Sequence, residues 1–384
     1  MQQRGLNGKI NDVPGEAYPG SFFDRTFLAE LNREDWLEVA NQMQAGLTDS
    51  VIENAFKFWP SQIYQLNAPH IISILKQRRV NIPYHAEKLY SFYAHYVEVV
   101  GTDKKDFFEV GWMAGGDLAV SVFTLKEGGE KGERYYHRIF KEDETREVRL
   151  FGLAGDDVFE LKGEAHRKIM VRVIGGDGDD QTTDLAEHRN SLIRKAAVYD
   201  LPDGMKISGP VRDLREGRLK INEYDRHEFR YNRYFPLATI GATVDDGLLI
   251  GGGVRLTRYR FRKKPYGLQH YIFARFSANT NALNLRYTGD YTRVVGKLDF
   301  NPDLRFDRPI IFNYFGLGND TRDDAPSSRF NWVRLEKLSI SPLLKRTWYN
   351  GRNFTRCGPF LERVEVENRA GRITDPARPL RRGQ

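Results

Sequence analysis

The chain has 384 residues, enough for two or more domains, and a formal net charge of +7. No apolar run reaches the roughly eighteen residues of a transmembrane helix, which leaves open the alternating strands of a membrane barrel. The one cysteine, Cys357, excludes an internal disulfide and a thiolate metal site.

The positive net charge does not indicate nucleic-acid binding. The basic residues group at Arg260, Arg262, Lys263 and Lys264, and at Arg378, Arg381 and Arg382. Both groups have the character of turn or terminal charges, without the interleaved aromatics of a nucleic-acid surface. Nucleic acid is therefore not a predicted partner.

The N-terminal quarter predicts a linker followed by helices. Residues 1–24 lack periodicity and an apolar signal segment, and we interpret them as a linker. Residues 25–100 form a predicted helical region, with Asn32 capping a helix that ends at Gly46. Thr48 caps a second helix, which Pro60 stops, and two more are expected at 69–78 and 83–98.

From about residue 101 the apolar period changes to two. Short predicted strands separated by glycine-rich turns fill 101–190, as in a meander or a stacked β unit. Residues 191–235 are polar and mixed, and we predict a connector there.

Residues 236–384 predict longer strands. The segment 283–291 alternates strictly, with Leu283, Leu285, Tyr287 and Tyr291 on one face. Asn284, Arg286, Thr288 and Asp290 occupy the other face. A tilted strand of about 9–11 residues with this pattern is long enough to cross a bilayer, and we count six or seven such strands.

Two acidic glycine turns are the candidate metal sites. The segment 175–180 (GGDGDD) matches the start of the calcium-binding nonapeptide of β-rolls, and 152–157 (GLAGDD) matches it in part. The weak calcium candidates are Asp156, Asp157, Asp177, Asp179 and Asp180. Thr182 occupies the apolar position of the first motif and the second motif lacks its second glycine, so both are incomplete. Because the two copies also start 23 residues apart and are not in tandem, we predict a pair of tight turns and no tight calcium site.

No sequence motif predicts catalysis. The tripeptide 225–227 (DRH) has a form seen in dinuclear metallophosphatases, but its companion ligand motifs are missing from the sequence. No nucleophile elbow, phosphate loop or zinc-protease motif occurs either. We therefore predict no catalytic residue and no cofactor in this chain.

Several segments together resemble a known family. They are 222–226 (NEYDR), 235–237 (FPL), 245–254 (DDGLLIGGGV), 261–266 (FRKKPY), 315–321 (FGLGNDT), and before them 150–159 (LFGLAGDDVF) and 174–178 (IGGDG). The pattern resembles the barrel region of BamA/TamA-type outer-membrane proteins, the bacterial surface antigens of Gram-negative cells. The likeness is to a subgroup that often carries an upstream metallophosphoesterase domain.

The resemblance implies the fold class and the function. The expected fold is an α+β N-terminal region followed by antiparallel strands of an incomplete transmembrane β-barrel, with 236–384 as its first strands. The chain would be an internal fragment of a longer protein. It would lie in the outer membrane, with residues 25–235 in the periplasm, and act in protein insertion, secretion or surface display. Its partners would be the lipid bilayer and client or cargo proteins.

Two other functions stay open at this point. The chain could be a soluble β-rich module that binds calcium or glycan through 152–180. It could also be the non-catalytic part of a longer metallophosphoesterase.

Overall fold

The computed structural model describes residues 6–163, 168–185, 195–217, 222–243, 246–315, 327, 329–348 and 352–377. The chain divides into two compact units, Met1–Phe229 and Arg230–Gln384. The basic residues Arg378, Arg381 and Arg382 and the segment 316–321 lie outside the described residues.

The first unit begins with helices. They are α1 (Val13–Ala17), a 3-10 turn (Tyr18–Gly20), α2 (Ser21–Phe27), α3 (Arg33–Gly46), α4 (Asp49–Asn54), α5 (Ser61–Val80) and α6 (Ile82–Ala94). Asn32 caps α3 in a reciprocal box, since its side chain accepts from the Asp35 N–H and the Asp35 carboxylate accepts from the Asn32 N–H. Thr48 caps α4, as predicted. None of the described helices is long and apolar enough to cross a membrane.

Three predicted boundaries in this region differ from the structure. The expected linker 1–24 contains α1 and the start of α2. Helix α4 ends at Asn54, six residues before Pro60, and α5 begins directly after that proline. The helix expected at 83–98 stops at Ala94, because Tyr96–Val100 pairs with Glu147–Ala154 as a strand.

Eleven described strands follow in the first unit. They are β1 (Tyr96–Val100), β2 (Asp106–Trp112), β3 (Leu118–Leu125), β4 (Lys131–Phe140), β5 (Glu147–Ala154), β6 (Val158–Lys162), β7 (Met170–Asp177), β8 (Asp180–Asp184), β9 (Ala196–Tyr199), β10 (Met205–Ser208) and β11 (Arg212–Asp213). One sheet has the order β1-β5-β7-β9-β11 and is parallel throughout. The other has the order β10-β8-β6-β2-β3-β4, in which only the hairpin β2-β3-β4 is antiparallel.

The chain coils between these two sheets. From β5 to β11 each strand lies in the sheet opposite to its predecessor, so two strands make one turn of the coil. The turns stack in register, with Phe151 beside Ile174 and Val158 beside Gln181. The stacked unit is thus one of the two predicted arrangements, and the segment predicted as a connector contributes β9, β10 and β11 to it.

The core fills the space between the sheets. Each sheet contributes inward rows of fully buried apolar side chains, such as Val99, Leu150, Val173 and Val198. In the facing sheet the rings of Phe108 and Phe159 stack with centroids 4.6 Å apart. Parallel sheets buried on both faces carry such near-continuous apolar strands.

The second unit is an antiparallel sheet of long strands. They are β12 (Arg233–Thr243), β13 (Gly247–Arg260), β14 (Lys263–Ser277), β15 (Leu283–Val295), β16 (Leu298–Asn313), β17 (Trp332–Trp348), β18 (Asn353–Cys357) and β19 (Leu361–Val366). Neighbours along the chain pair with each other, and β18 and β19 both pair with β17. Among the described residues no pairing joins β12 to the far end, so the sheet is open there. The chain is therefore a helical region followed by β structure whose C-terminal part is antiparallel.

Candidate functional site

Four six-residue turns connect the two sheets of the first unit at the same end. They are 101–106, 152–157, 175–180 and 200–205; the first and the last begin directly after β1 and β9, and the middle two begin within the last three residues of β5 and β7. The two acidic turns are 23 residues apart in sequence, which is one turn of the coil. They are therefore neighbours in space, although they are not in tandem in the sequence.

Buried aspartates form a ladder at this end of the stack. Asp106, Asp157 and Asp180 hold equivalent places before successive strands of the second sheet, and each is at most 1% exposed. The N–H of Asp106 donates to Asp157 Oδ1 at 2.8 Å, and the N–H of Asp157 donates to Asp180 Oδ1 at 2.8 Å. The Asp157 and Asp180 carboxylates thus each accept a main-chain hydrogen bond from the preceding turn, whereas Asp106 Oδ2 accepts the N–H of Thr102 in its own turn.

The second oxygen of each inner carboxylate has no such partner. Among the described residues the Oδ2 atoms of Asp157, Asp180 and Asp200 are buried and accept no hydrogen bond from the protein. A Cβ placed on Gly175 would lie 2.0 Å from Asp180 Oδ2 and 2.3 Å from Asp200 Oδ2. Both oxygens therefore pack against Gly175, with the Met205 methyl carbon 2.9 Å from the same Cβ position, and only glycine leaves room for these atoms.

The neighbouring turn at Gly152 repeats this arrangement, with a main-chain carbonyl oxygen in place of the second carboxylate oxygen. A Cβ on Gly152 would lie 2.1 Å from Asp157 Oδ2 and 2.6 Å from the Gly175 carbonyl oxygen. Carboxylate and carbonyl oxygens thus meet in the interior, where an uncompensated negative charge is costly.

Burial dominates the electrostatics of the ladder. It raises the pKa of Asp157 to about 8, with the Asp180 and Asp106 carboxylates adding to the rise. Burial likewise raises the pKa of Asp180 to about 7, with Asp200 as a further cause, and that of Asp200 to about 6. Burial therefore favours the protonated form of all three carboxyl groups, most strongly for Asp157 and least for Asp200.

The other predicted calcium candidates lie outside the ladder. Asp156 pairs with Lys105 at 2.6 Å, and its Oδ1 accepts the Asp179 N–H. Asp177 and Asp179 are exposed. Of the five candidates, the structure brings Asp157 and Asp180 together in the interior and leaves the other three at the surface.

Sequence reasoning missed two members of the ladder. Asp106 lies five residues after Gly101, as Asp157 lies five residues after Gly152. That repeated spacing was the available signal. Asp200 takes the place of a glycine in its own turn, so no motif marks it.

Within the described ranges no three His, Cys, Asp or Glu side chains are grouped so that they could hold a metal ion. A cation in these turns would need main-chain carbonyls besides the carboxylates. In the DRH tripeptide Asp225 accepts the His227 N–H, and the His227 ring packs on Phe22 with centroids 4.4 Å apart.

The sheet of the second unit is a second candidate surface. One cross-strand row is apolar over seven strands: Pro236, Val254, Ile272, Tyr287, Leu304, Ile340 and Leu361. The opposite face is polar and hydrogen-bonded, since Gln269 donates to Thr257 at 3.0 Å and Asn301 donates to Asp290 at 2.9 Å. The predicted split of 283–291 into an apolar and a polar face therefore agrees with the strand register.

Several positions on this sheet have the reverse of the burial found in a water-soluble sheet, although Leu268 on the apolar face is 7% exposed and the Arg286 side chain on the polar face is 49% exposed. The polar-face residues Thr257, Asn301 and Ser339 are buried, at 9% exposure or less. On the apolar face Ile250 is 54% exposed and Leu285 42% exposed.

Comparison with models of protein families, with curated proteins and with solved structures finds no match for this chain.

Proposed function

We propose that the second unit is part of an outer-membrane β-barrel of the BamA/TamA type. The observation that supports this most is the inverted burial of its sheet, with an exposed apolar face and a hydrogen-bonded polar face. Transmembrane barrels have this arrangement, because lipid covers the outer face and the polar side chains line the interior.

The size of the apolar face argues against exposure to water. It extends over seven strands, and contiguous apolar patches of that kind are rare on monomeric soluble proteins. Strands β13 to β17 have 13 to 17 residues, longer than the roughly 9–11 that a tilted bilayer crossing requires. Soluble sheets use strands of about five or six residues.

The charges of the sheet also suit a lumen. Asp303 pairs with Arg305 at 2.9 Å and with Arg286 at 3.6 Å, all on the polar face. Lys345 lies 3.3 Å from Asp299 and 3.5 Å from Asp290 on the same face. Charged pairs also occur on the apolar face, between Arg308 and Glu336 at 3.2 Å and between Arg363 and Glu365, so the charges are not confined to the polar face.

The proposed role follows from the resemblance together with the sheet edge. Among the described residues β12 pairs only with β13, so its other edge offers free main-chain donors and acceptors. In the BamA/TamA type such a first strand can template client strands during protein insertion or secretion. We place this unit in the outer membrane and residues 25–235 in the periplasm, with client proteins as partners.

Cysteine labelling of two adjacent residues tests the membrane assignment. In a Cys357→Ser background, since Cys357 is exposed, Leu285→Cys and Arg286→Cys are made in the native gene and treated in membranes with a small charged maleimide. The two side chains have similar accessibility, 42% for Leu285 and 49% for the Arg286 side chain, so water alone would label both. We expect only Arg286→Cys to react before detergent is added, because lipid shields the other face. Equal labelling of both positions, with the protein in the soluble fraction, would instead support a soluble β-rich module.

A further inference from the structure

The apolar face of the second unit has charged residues at both ends of its strands. On β17 every second residue from Glu336 to Arg346 belongs to this face, and the four between them are Leu338, Ile340, Pro342 and Leu344. Glu336 pairs with Arg308 of β16 at 3.2 Å. The second ion pair of this face, Arg363 with Glu365, lies at the same end, because Glu365 is the register partner of Glu336. The face is therefore uncharged only over the middle of β17.

The uncharged length matches the hydrocarbon layer of a bilayer. Glu336 and Arg346 are ten residues apart, which corresponds to about 33 Å along an extended strand. Strands of transmembrane barrels tilt by about 35–45°, so the same two residues would be about 25 Å apart along the membrane normal. The apolar band of such barrels is about 25 Å tall. The two charges of β17 therefore have the spacing of the two boundaries of a membrane.

Three hydrogen-bonded side chains lie on the apolar face towards its Arg346 end. His270 Nδ1 lies 3.0 Å from the Tyr287 hydroxyl, which lies 3.1 Å from the Tyr291 hydroxyl. A Cβ on Gly289, between the two tyrosines, would lie 2.9 Å from the Tyr287 hydroxyl and 2.8 Å from a ring carbon of Tyr291. The two tyrosines therefore pack over the glycine, and their hydroxyl groups meet His270 at one place on the face.

The strand register places this polar cluster near cationic side chains. Tyr291 lies in the same cross-strand row as Arg258, through Leu268 of β14. On β17 that row reaches Leu344, two residues before Arg346. Tyrosine suits a membrane–water boundary, since its ring is apolar and its hydroxyl is polar, and arginine binds phosphate groups. This end of the face thus carries the side chains that suit a layer of lipid headgroups.

We propose that both ends of the apolar face contact lipid headgroups: the aromatic end, with His270, Tyr287 and Tyr291, in one leaflet, and the ion-pair end, with Arg308 and Glu336, in the other. This inference rests on the proposed membrane function of the second unit and adds the level at which its sheet crosses the bilayer. Hydrocarbon then contacts only the residues between the two ends. The ion pair of Arg308 and Glu336 stays hydrated, which avoids the cost of charge in the bilayer centre.

Nitroxide labels along β17 test the proposed level. In the Cys357→Ser background, Glu336→Cys, Ile340→Cys and Arg346→Cys are made in the native gene, and the labelled protein is reconstituted in vesicles of phosphatidylethanolamine and phosphatidylglycerol. Collisions of each label with oxygen, which concentrates in hydrocarbon, are compared with collisions with a water-soluble nickel chelate. We expect the ratio of oxygen to nickel collisions to be several-fold higher at Ile340→Cys than at Glu336→Cys or Arg346→Cys.

Two further labels make the test specific. Ser341→Cys is adjacent to Ile340 but belongs to the polar face, and its label should have a low ratio. A label at Tyr291→Cys should give a ratio close to that at Arg346→Cys. If Ile340→Cys and Ser341→Cys both give the ratio of a label in water, the membrane assignment itself fails. If Ile340→Cys reads as hydrocarbon but Tyr291→Cys or Glu336→Cys is equally deep, the membrane assignment stands and the proposed level is overturned.

Discussion

Replacing Asp157 by asparagine should remove much of the pH dependence of stability of the first unit in the absence of divalent cations. Asparagine keeps an oxygen that can accept the Asp106 N–H. Its amide group would replace the unpaired Oδ2, which lies on the same side of Gly152 as the Gly175 carbonyl oxygen. The substitution therefore removes a buried ionisable group without removing the ladder hydrogen bond.

The sign of the effect follows from the direction of the pKa shifts. Asp157, Asp180 and Asp200 have folded-state pKa values of about 8, 7 and 6, above the unfolded value of 3.8. The folded chain therefore holds protons that the unfolded chain has released. Their contribution to stability is fully present below about pH 4 and is lost as the pH rises through about 6 to 8.

The size of the pKa shift of Asp157 sets the size of the stability loss. One pKa unit corresponds to about 1.4 kcal/mol, so the shift of Asp157 corresponds to a loss on the order of 5 kcal/mol by alkaline pH. Urea unfolding in EGTA at about pH 5 and about pH 8.5 measures it. The wild-type midpoint should fall at the higher pH, and Asp157→Asn should fall much less.

His85 and Glu147 change the stability in the opposite direction as the pH rises. Their contributions cancel when the wild type is compared with the variant. Burial lowers the pKa of His85, so its contribution is lost as the pH falls below about 6.5. Despite burial, Arg149 and Arg172 keep the pKa of Glu147 low, so its contribution is lost only in acid. Both are common to the wild type and the variant. A wild-type stability that is flat or rising between the two pH values, or an equal slope in both proteins, would refute the reasoning.

Three further substitutions test the packing of the first unit by chemical denaturation. Gly175→Ala should destabilise the first unit by about 1–3 kcal/mol, because the added Cβ would lie 2.0 Å from a carboxylate oxygen. Gly46→Ala should not destabilise it, because nothing lies within 4 Å of the Cβ added there. Equal effects of the two substitutions would contradict the crowding at Gly175. Phe159→Ala should cost about 3–5 kcal/mol through the lost stack on Phe108, and a cost under about 1 kcal/mol would mean that the core collapses freely around it. Asn32→Ala should cost about 1 kcal/mol through the lost cap, and no change would show that the capping box is not formed in solution.

The second unit was the more predictable part of the fold. Its strands are long and alternate, and the alternation directly separates Leu283 and Leu285 from Asn284 and Arg286. Each strand pairs with the strand before or after it in the sequence, so the pairing follows from the order of the strands along the chain. Whether its sheet closes, and whether lipid covers its apolar face, are questions that alternation alone does not answer.

The first unit was less predictable because its pairing is not local. Parallel strands pair with partners one coil turn away, and no turn signal marks that partner. Strand β8 is polar in sequence, yet Asp180, Thr182 and Asp184 all point inward. Polar residues facing inward break the pattern on which strand prediction depends. Asp106 and Asp200 were missed for the same reason, since they look like ordinary turn residues until the turns are stacked.

The two candidate sites are both exceptions to the usual distribution of side chains. A buried unpaired carboxylate and an exposed apolar sheet face each raise the free energy of the folded chain in plain water. Neither exception is stabilised by the described contacts around it: no cation-bearing side chain reaches Asp180, and no described element covers Leu285. Each therefore requires something from the surroundings, a proton for the ladder and hydrocarbon for the sheet. Because the two requirements differ, lowering the pH from about 8.5 to about 5 should stabilise the first unit, and detergent or lipid should stabilise the second.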